Sequence, residues 1–108
     1  MVFSADPDAD RAFFRDVLQY PNVDAGGGWL IFKLPPAELA VHPSESSSDN
    51  ELYLMCDDLD ETMHALRAKG VEFADVTRAR WGKLTRFRLP GGGAVGLYEP
   101  LHPRATDL

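Results

Sequence analysis

A cysteine nucleophile needs a base beside it, and a phosphate cradle needs glycines in a particular order. The sequence holds the residue types without either arrangement. Cys56 is its one cysteine and lies on an apolar run, where a free thiol behaves as a small buried hydrophobe; no histidine is placed by spacing to activate it. Of the three histidines, His64 falls on the polar side of a helical pattern and His102 in the C-terminal tail, while His42, followed by Pro43, reads as a strand-end residue. The glycine runs 26–28 and 91–93 lack the G-x-x-x-x-G-K order and do not lead directly into a helix, so they read as turns.

Aromatic and basic residues are more informative. Trp29, Phe32, Tyr53, Trp81, Phe87 and Tyr98 are core candidates, some of which can line a concavity. Trp81, beside Gly82 in a polar loop, is hardest to place in a core, and its indole can cover a pocket and stack on a flat or cationic guest. Arg86 and Arg88 alternate with Thr85, Phe87 and Leu89 and so share one face, either solvent or a cavity wall able to hold an anion. Trp81, Trp29, Tyr53, Tyr98 and Arg86 are therefore the candidate ligand-binding residues.

The elements that must position them repeat. Val2 to Ala5 is a short apolar run, and Asp6-Pro7 then opens a helix whose apolar face is Ala9, Ala12, Phe13, Val17 and Leu18, ending before Pro21. Trp29 to Leu34 and Leu39 to His42, joined through Pro35-Pro36, read as a hairpin, with a weaker strand signal between Tyr20 and Ala25. A polar connection, Pro43 to Asn50 with four serines, separates the halves. The order then recurs. Glu51 to Cys56 is a strand, Asp57 or Asp58 caps a helix buried at Leu59, Met63 and Leu66, and Gly70 stops it. Val71 to Phe73, Lys83 to Leu89 and Ala94 to Tyr98 follow as strands, the last two joined by Pro90-Gly91-Gly92-Gly93. This predicts an α+β domain over 1–108, made of two β-α-β-β-β modules at about 1–49 and 50–108. Neither module is large enough to bury its sheet alone.

Composition bounds the partners. Eleven basic against 17 acidic residues give a net charge of -6, which argues against nucleic acid. No apolar stretch approaches the ~20 residues of a membrane span. One cysteine and no cationic-then-apolar leader set the cytoplasm as the expected compartment.

The chain resembles the vicinal oxygen chelate superfamily, which includes glyoxalase I, extradiol dioxygenases, and fosfomycin- and bleomycin-resistance proteins. The resemblance rests on 6–18 as a first helix, on 52–59 as the second strand-to-helix entry, and on Leu89-Pro90-Gly91-Gly92-Gly93 with Gly96-Leu97-Tyr98-Glu99-Pro100 as a closing hairpin. It implies a cup-shaped mixed or antiparallel sheet, the glyoxalase/bleomycin resistance/dioxygenase fold. It also implies a homodimer and, in the enzymes, a divalent zinc, iron, manganese or nickel ion held by His and Glu. Carried over, the first ligand position falls at or before Met1, the second on Glu51, and the last-strand position on Gly96 in place of the usual Glu. His42 is the candidate for a further ligand. Glu99, three residues past Gly96, points to the opposite face by strand alternation. Glu51 itself also reads simply as a solvated strand-start carboxylate.

With this metal set degenerate, the expectation is no cofactor and a homodimeric binder of a small aromatic or amphipathic molecule. The alternatives are a metal-dependent lyase, isomerase or dioxygenase using Glu51 and His42, and a dimerising module with no small-molecule role.

Overall fold

The computed structural model describes residues 1–41, 43–45 and 50–108. Helix α1 spans Pro7–Ala12. The Asp6 carboxylate caps it by accepting from the Ala9 N–H at 3.2 Å, with Pro7 in the first turn where its missing N–H costs nothing. The helix widens into a π-helical turn, Phe13–Val17, and ends as Gln19 turns to a positive φ of 59°. Helix α2, Leu59–Arg67, repeats the device: Asp58 accepts from the Glu61 N–H at 3.1 Å, and Gly70, at φ 89°, closes the C-terminal turn.

The strands divide into two sheets. Strands β1 (Asn22–Asp24) and β2 (Leu30–Phe32) form a two-stranded antiparallel hairpin, so the weak signal after Tyr20 is a strand and pairs with the bulky run that follows. The expected partner at Leu39 to His42 does not form as such: 39–41 carry no strand, Leu39 and Val41 are exposed, and His42 lies outside the described residues. Val2 to Ala5 is likewise no strand. In the second half, β3 (Tyr53–Met55), β4 (Thr77–Ala79), β5 (Gly82–Arg88) and β6 (Ala94–Pro100) form a sheet in the order β3-β6-β5-β4. Strand β3 runs parallel to β6, and the other pairs are antiparallel. Val71 to Phe73 supplies only a single bridge, Phe73 to Phe87, and the segment expected as a loop before Trp81 contains β4.

One face of the four-stranded sheet meets the helices. Phe87, Leu89, Val95 and Leu97 point into a core with Phe14, Leu59, Met63, Leu66 and Val71. Asp10 ties α1 to this sheet, its buried carboxylate accepting from the Gly91 N–H in the β5–β6 turn at 2.7 Å. Among the described residues no helix is long and apolar enough to cross a membrane.

Candidate functional site

The other face carries the chemistry. Register places Tyr53, Gly96 and Arg86 in one row across β3, β6 and β5, and Met55, Tyr98 and Leu84 in the next. Because Gly96 has no side chain, the Tyr53 ring lies directly over it; a Cβ there would collide with the ring. At the buried Gly82 a Cβ would first meet the Glu99 carbonyl oxygen, at 2.8 Å, and then the Tyr98 ring, at 3.1 Å. Trp81 sits in the two-residue turn between β4 and β5, where its carbonyl accepts from Leu101 N–H at 2.9 Å.

Three rings therefore converge at this end of the sheet. Their centroid separations are 6.4 Å for Tyr53–Trp81, 5.8 Å for Tyr53–Tyr98 and 5.5 Å for Trp81–Tyr98, all edge to face. This geometry sets the positive ring edges against negative faces. His102 stacks on the outer side of the group, 6.4 Å from Tyr98. Trp81 remains 38% exposed, so the cluster is a surface feature rather than core.

Beside the rings lies a polar cluster. Arg86 Nη2 donates to Glu51 Oε2 at 3.0 Å and to the Tyr53 hydroxyl at 2.9 Å, and the guanidinium carbon stands 5.4 Å from the Tyr53 ring centre. The hydrogen bond with Glu51 raises Arg86 above its already high ordinary pKa, so it stays charged. Burial, and then the Glu51 carboxylate, push the Tyr53 hydroxyl up, and burial does the same for Tyr98. Both phenols are neutral at physiological pH.

Four of the five expected ligand residues, Trp81, Tyr53, Tyr98 and Arg86, are thus brought together. Trp29 stands apart, at the end of the β1–β2 turn beneath the Arg11 guanidinium at 4.9 Å. Arg88 shares Arg86's face but donates to the Gly92 carbonyl at 3.1 Å, within its own hairpin. Sequence reading missed that Glu51 and Arg86 pair; the signal lay in their opposite charge, but 35 residues separate them and only the strand order joins them.

The metal positions can be tested on the same face. Glu51 faces a cation already present, Arg86; Gly96 has no donor and is covered by Tyr53. Glu99, on the helix-side face as alternation requires, accepts from the Leu59 N–H at 2.9 Å and pairs with Lys83 at 3.6 Å. His42 lies outside the described residues, and among those described no three His, Cys, Asp or Glu gather closely enough to hold a metal ion. The described donor set does not fit a divalent cation. A concavity lies away from the three rings: an open groove of about 640 Å³ runs between Phe13, Val17 and the segment 69–74, with Arg86 and Arg88 also among its lining residues.

This architecture is that of the glyoxalase/bleomycin resistance/dioxygenase proteins. An antibiotic-binding protein from Streptomyces sp. CB03234 superposes with a TM-score of 0.63 at 22% identity, over 90% of this chain and 88% of that one. A lactoylglutathione lyase from Agrobacterium tumefaciens gives 0.65 at 20% identity, over 91% and 88%. A glyoxalase/bleomycin resistance protein/dioxygenase from Nocardioides gives 0.64 at 20%, over 94% and 80%. Neither a protein-family model nor a curated protein matches the chain. Likeness at this identity establishes the fold, consistent with the vicinal oxygen chelate resemblance, and leaves the activity to the site.

Proposed function

We propose that the chain binds a small aromatic or amphipathic molecule on the Tyr53–Trp81–Tyr98 face, without a metal ion. The observation that carries this reading is the three-ring cluster itself. Three large rings held edge to face at the surface offer a flat guest both stacking and edge contacts, and glycine at 96 leaves room for the Tyr53 ring to lie on the sheet. A structural neighbour described as antibiotic-binding supports the same class of function. A neighbour described as lactoylglutathione lyase would favour a metal-assisted reaction, but here Glu51 is ion-paired, Gly96 has no donor and Glu99 caps a helix.

Two measurements test it. Protein purified without chelators or a metal-binding tag should contain no stoichiometric iron, manganese, nickel or zinc by elemental analysis; about one tightly held ion per chain would sink the metal-free reading. In Trp29→Phe, which leaves Trp81 as the sole indole reporter, fluorescence should respond saturably to naphthalene-sized aromatic probes. A signal indifferent to neutral, anionic and cationic probes alike would rule out this face as the site.

A further inference from the structure

Resting on that binding role, the geometry points to a narrower ligand class: an aromatic carboxylate, its ring against Trp81 and Tyr98 and its anionic group on Arg86. The net charge of -6 suggests a cationic guest at first sight, but a guanidinium, that of Arg86, stands 5.4 Å from the Tyr53 ring centre. Arg86 sits one row from Tyr98, on the same face, and the Tyr53 ring bridges the two. Both of its contacts to Glu51 and Tyr53 leave from Nη2, and 43% of the side chain is open to solvent. A guanidinium carries five N–H donors in a planar fork that matches a carboxylate.

Glu51 then acts as an internal stand-in. Its carboxylate, 55% exposed, holds the guanidinium at 3.0 Å in the absence of a guest. Such an exposed ion pair contributes little to stability, so a ligand that adds ring stacking to the same charge pairing can displace it. The Tyr53 hydroxyl, 2.9 Å from Nη2, holds the fork in place during the exchange. Arg86 thus supplies the positive charge at the place where the resemblance implies a metal ion between Glu51 and residue 96.

The test compares 1-naphthoate, its neutral isostere 1-naphthamide and 1-naphthylmethylammonium, all against the Trp29→Phe protein by fluorescence and calorimetry. Naphthoate should bind at least roughly tenfold tighter than naphthamide, the scale of one charge-assisted hydrogen bond. Arg86→Gln should erase that preference while ring binding remains, and Glu51→Gln should strengthen naphthoate severalfold. Arg86→Lys keeps the charge without the fork and should fall between; circular dichroism confirms that each variant folds. Naphthamide or the ammonium compound binding as well as naphthoate would overturn the carboxylate assignment and leave the aromatic-binding role standing. Failure of all three to saturate would overturn both.

Discussion

At the scale of single residues, Gly96 decides what the site is. A side chain there would occupy the volume of the Tyr53 ring, so glycine converts a sheet position into a seat for an aromatic. Gly96→Ala must swing Tyr53 away and break its hydroxyl contact with Arg86. The expected cost is about 1–3 kcal/mol by urea denaturation, with loss of aromatic binding; a variant with unchanged stability and binding would show that the ring does not rest on the glycine. Cys56 is half-buried, its Sγ 3.5 Å from the Tyr98 carbonyl, and burial pushes its thiol pKa up. It should therefore alkylate more slowly at pH 8 in the folded protein than in urea.

At the scale of elements, the helices are anchored by carboxylates. Asp58 closes the α2 N-terminus from the cap position just before the helix, and Glu99 reaches the Leu59 N–H from β6, 40 residues away. A negative charge there also meets the positive end of the helix dipole. Glu99→Ala removes this acceptor and leaves Lys83 without that partner, so stability should fall by about 1–2 kcal/mol in chemical denaturation. If Glu99 were instead a metal ligand, the substitution would change bound metal rather than stability. The first-half hairpin is weaker by construction: its strands are three residues each, and Val23 and Ile31, paired across it, are both exposed. Two-stranded hairpins are marginal alone, so amide exchange should be faster in β1 and β2 than in β5 and β6.

At the scale of the whole molecule, stability is exposed to alkaline pH. Cys56, Tyr20, Tyr53 and Tyr98 all have folded-state pKa values raised chiefly by burial above ordinary values of 9.0 for the thiol and 10.0 for the phenols. Each favours the neutral form in the folded state, so its contribution is complete below the ordinary value and is lost as pH rises through the raised one. Melting temperature should hold from pH 7 to 8 and fall above about pH 9; a melting temperature flat to pH 11 would refute this account. Exposed Val23, Ile31, Leu39 and Val41 leave apolar surface on the first half. A homodimer that covers it is the proposed form in solution, and light scattering should return twice the 12.0 kDa chain mass.

Local chemistry carried a large part of this protein in the sequence itself. Asp6-Pro7, Asp58 and Gly70 mark helix ends through groups a few residues apart, and Leu59, Met63 and Leu66 mark a buried face by a spacing the helix imposes. The aromatic candidates were visible for the same reason: a large ring in a turn, as at Trp81, has little local excuse. Pairing was decided only in three dimensions. Which strand follows which in β3-β6-β5-β4 sets Gly96 beneath Tyr53 and Arg86 beside Glu51, and each of those contacts joins segments more than 30 residues apart. Leu39 to Val41 has strand composition but no strand, and the polar-looking stretch before Trp81 holds one, because a β-strand is completed by its neighbour and not by its own residues.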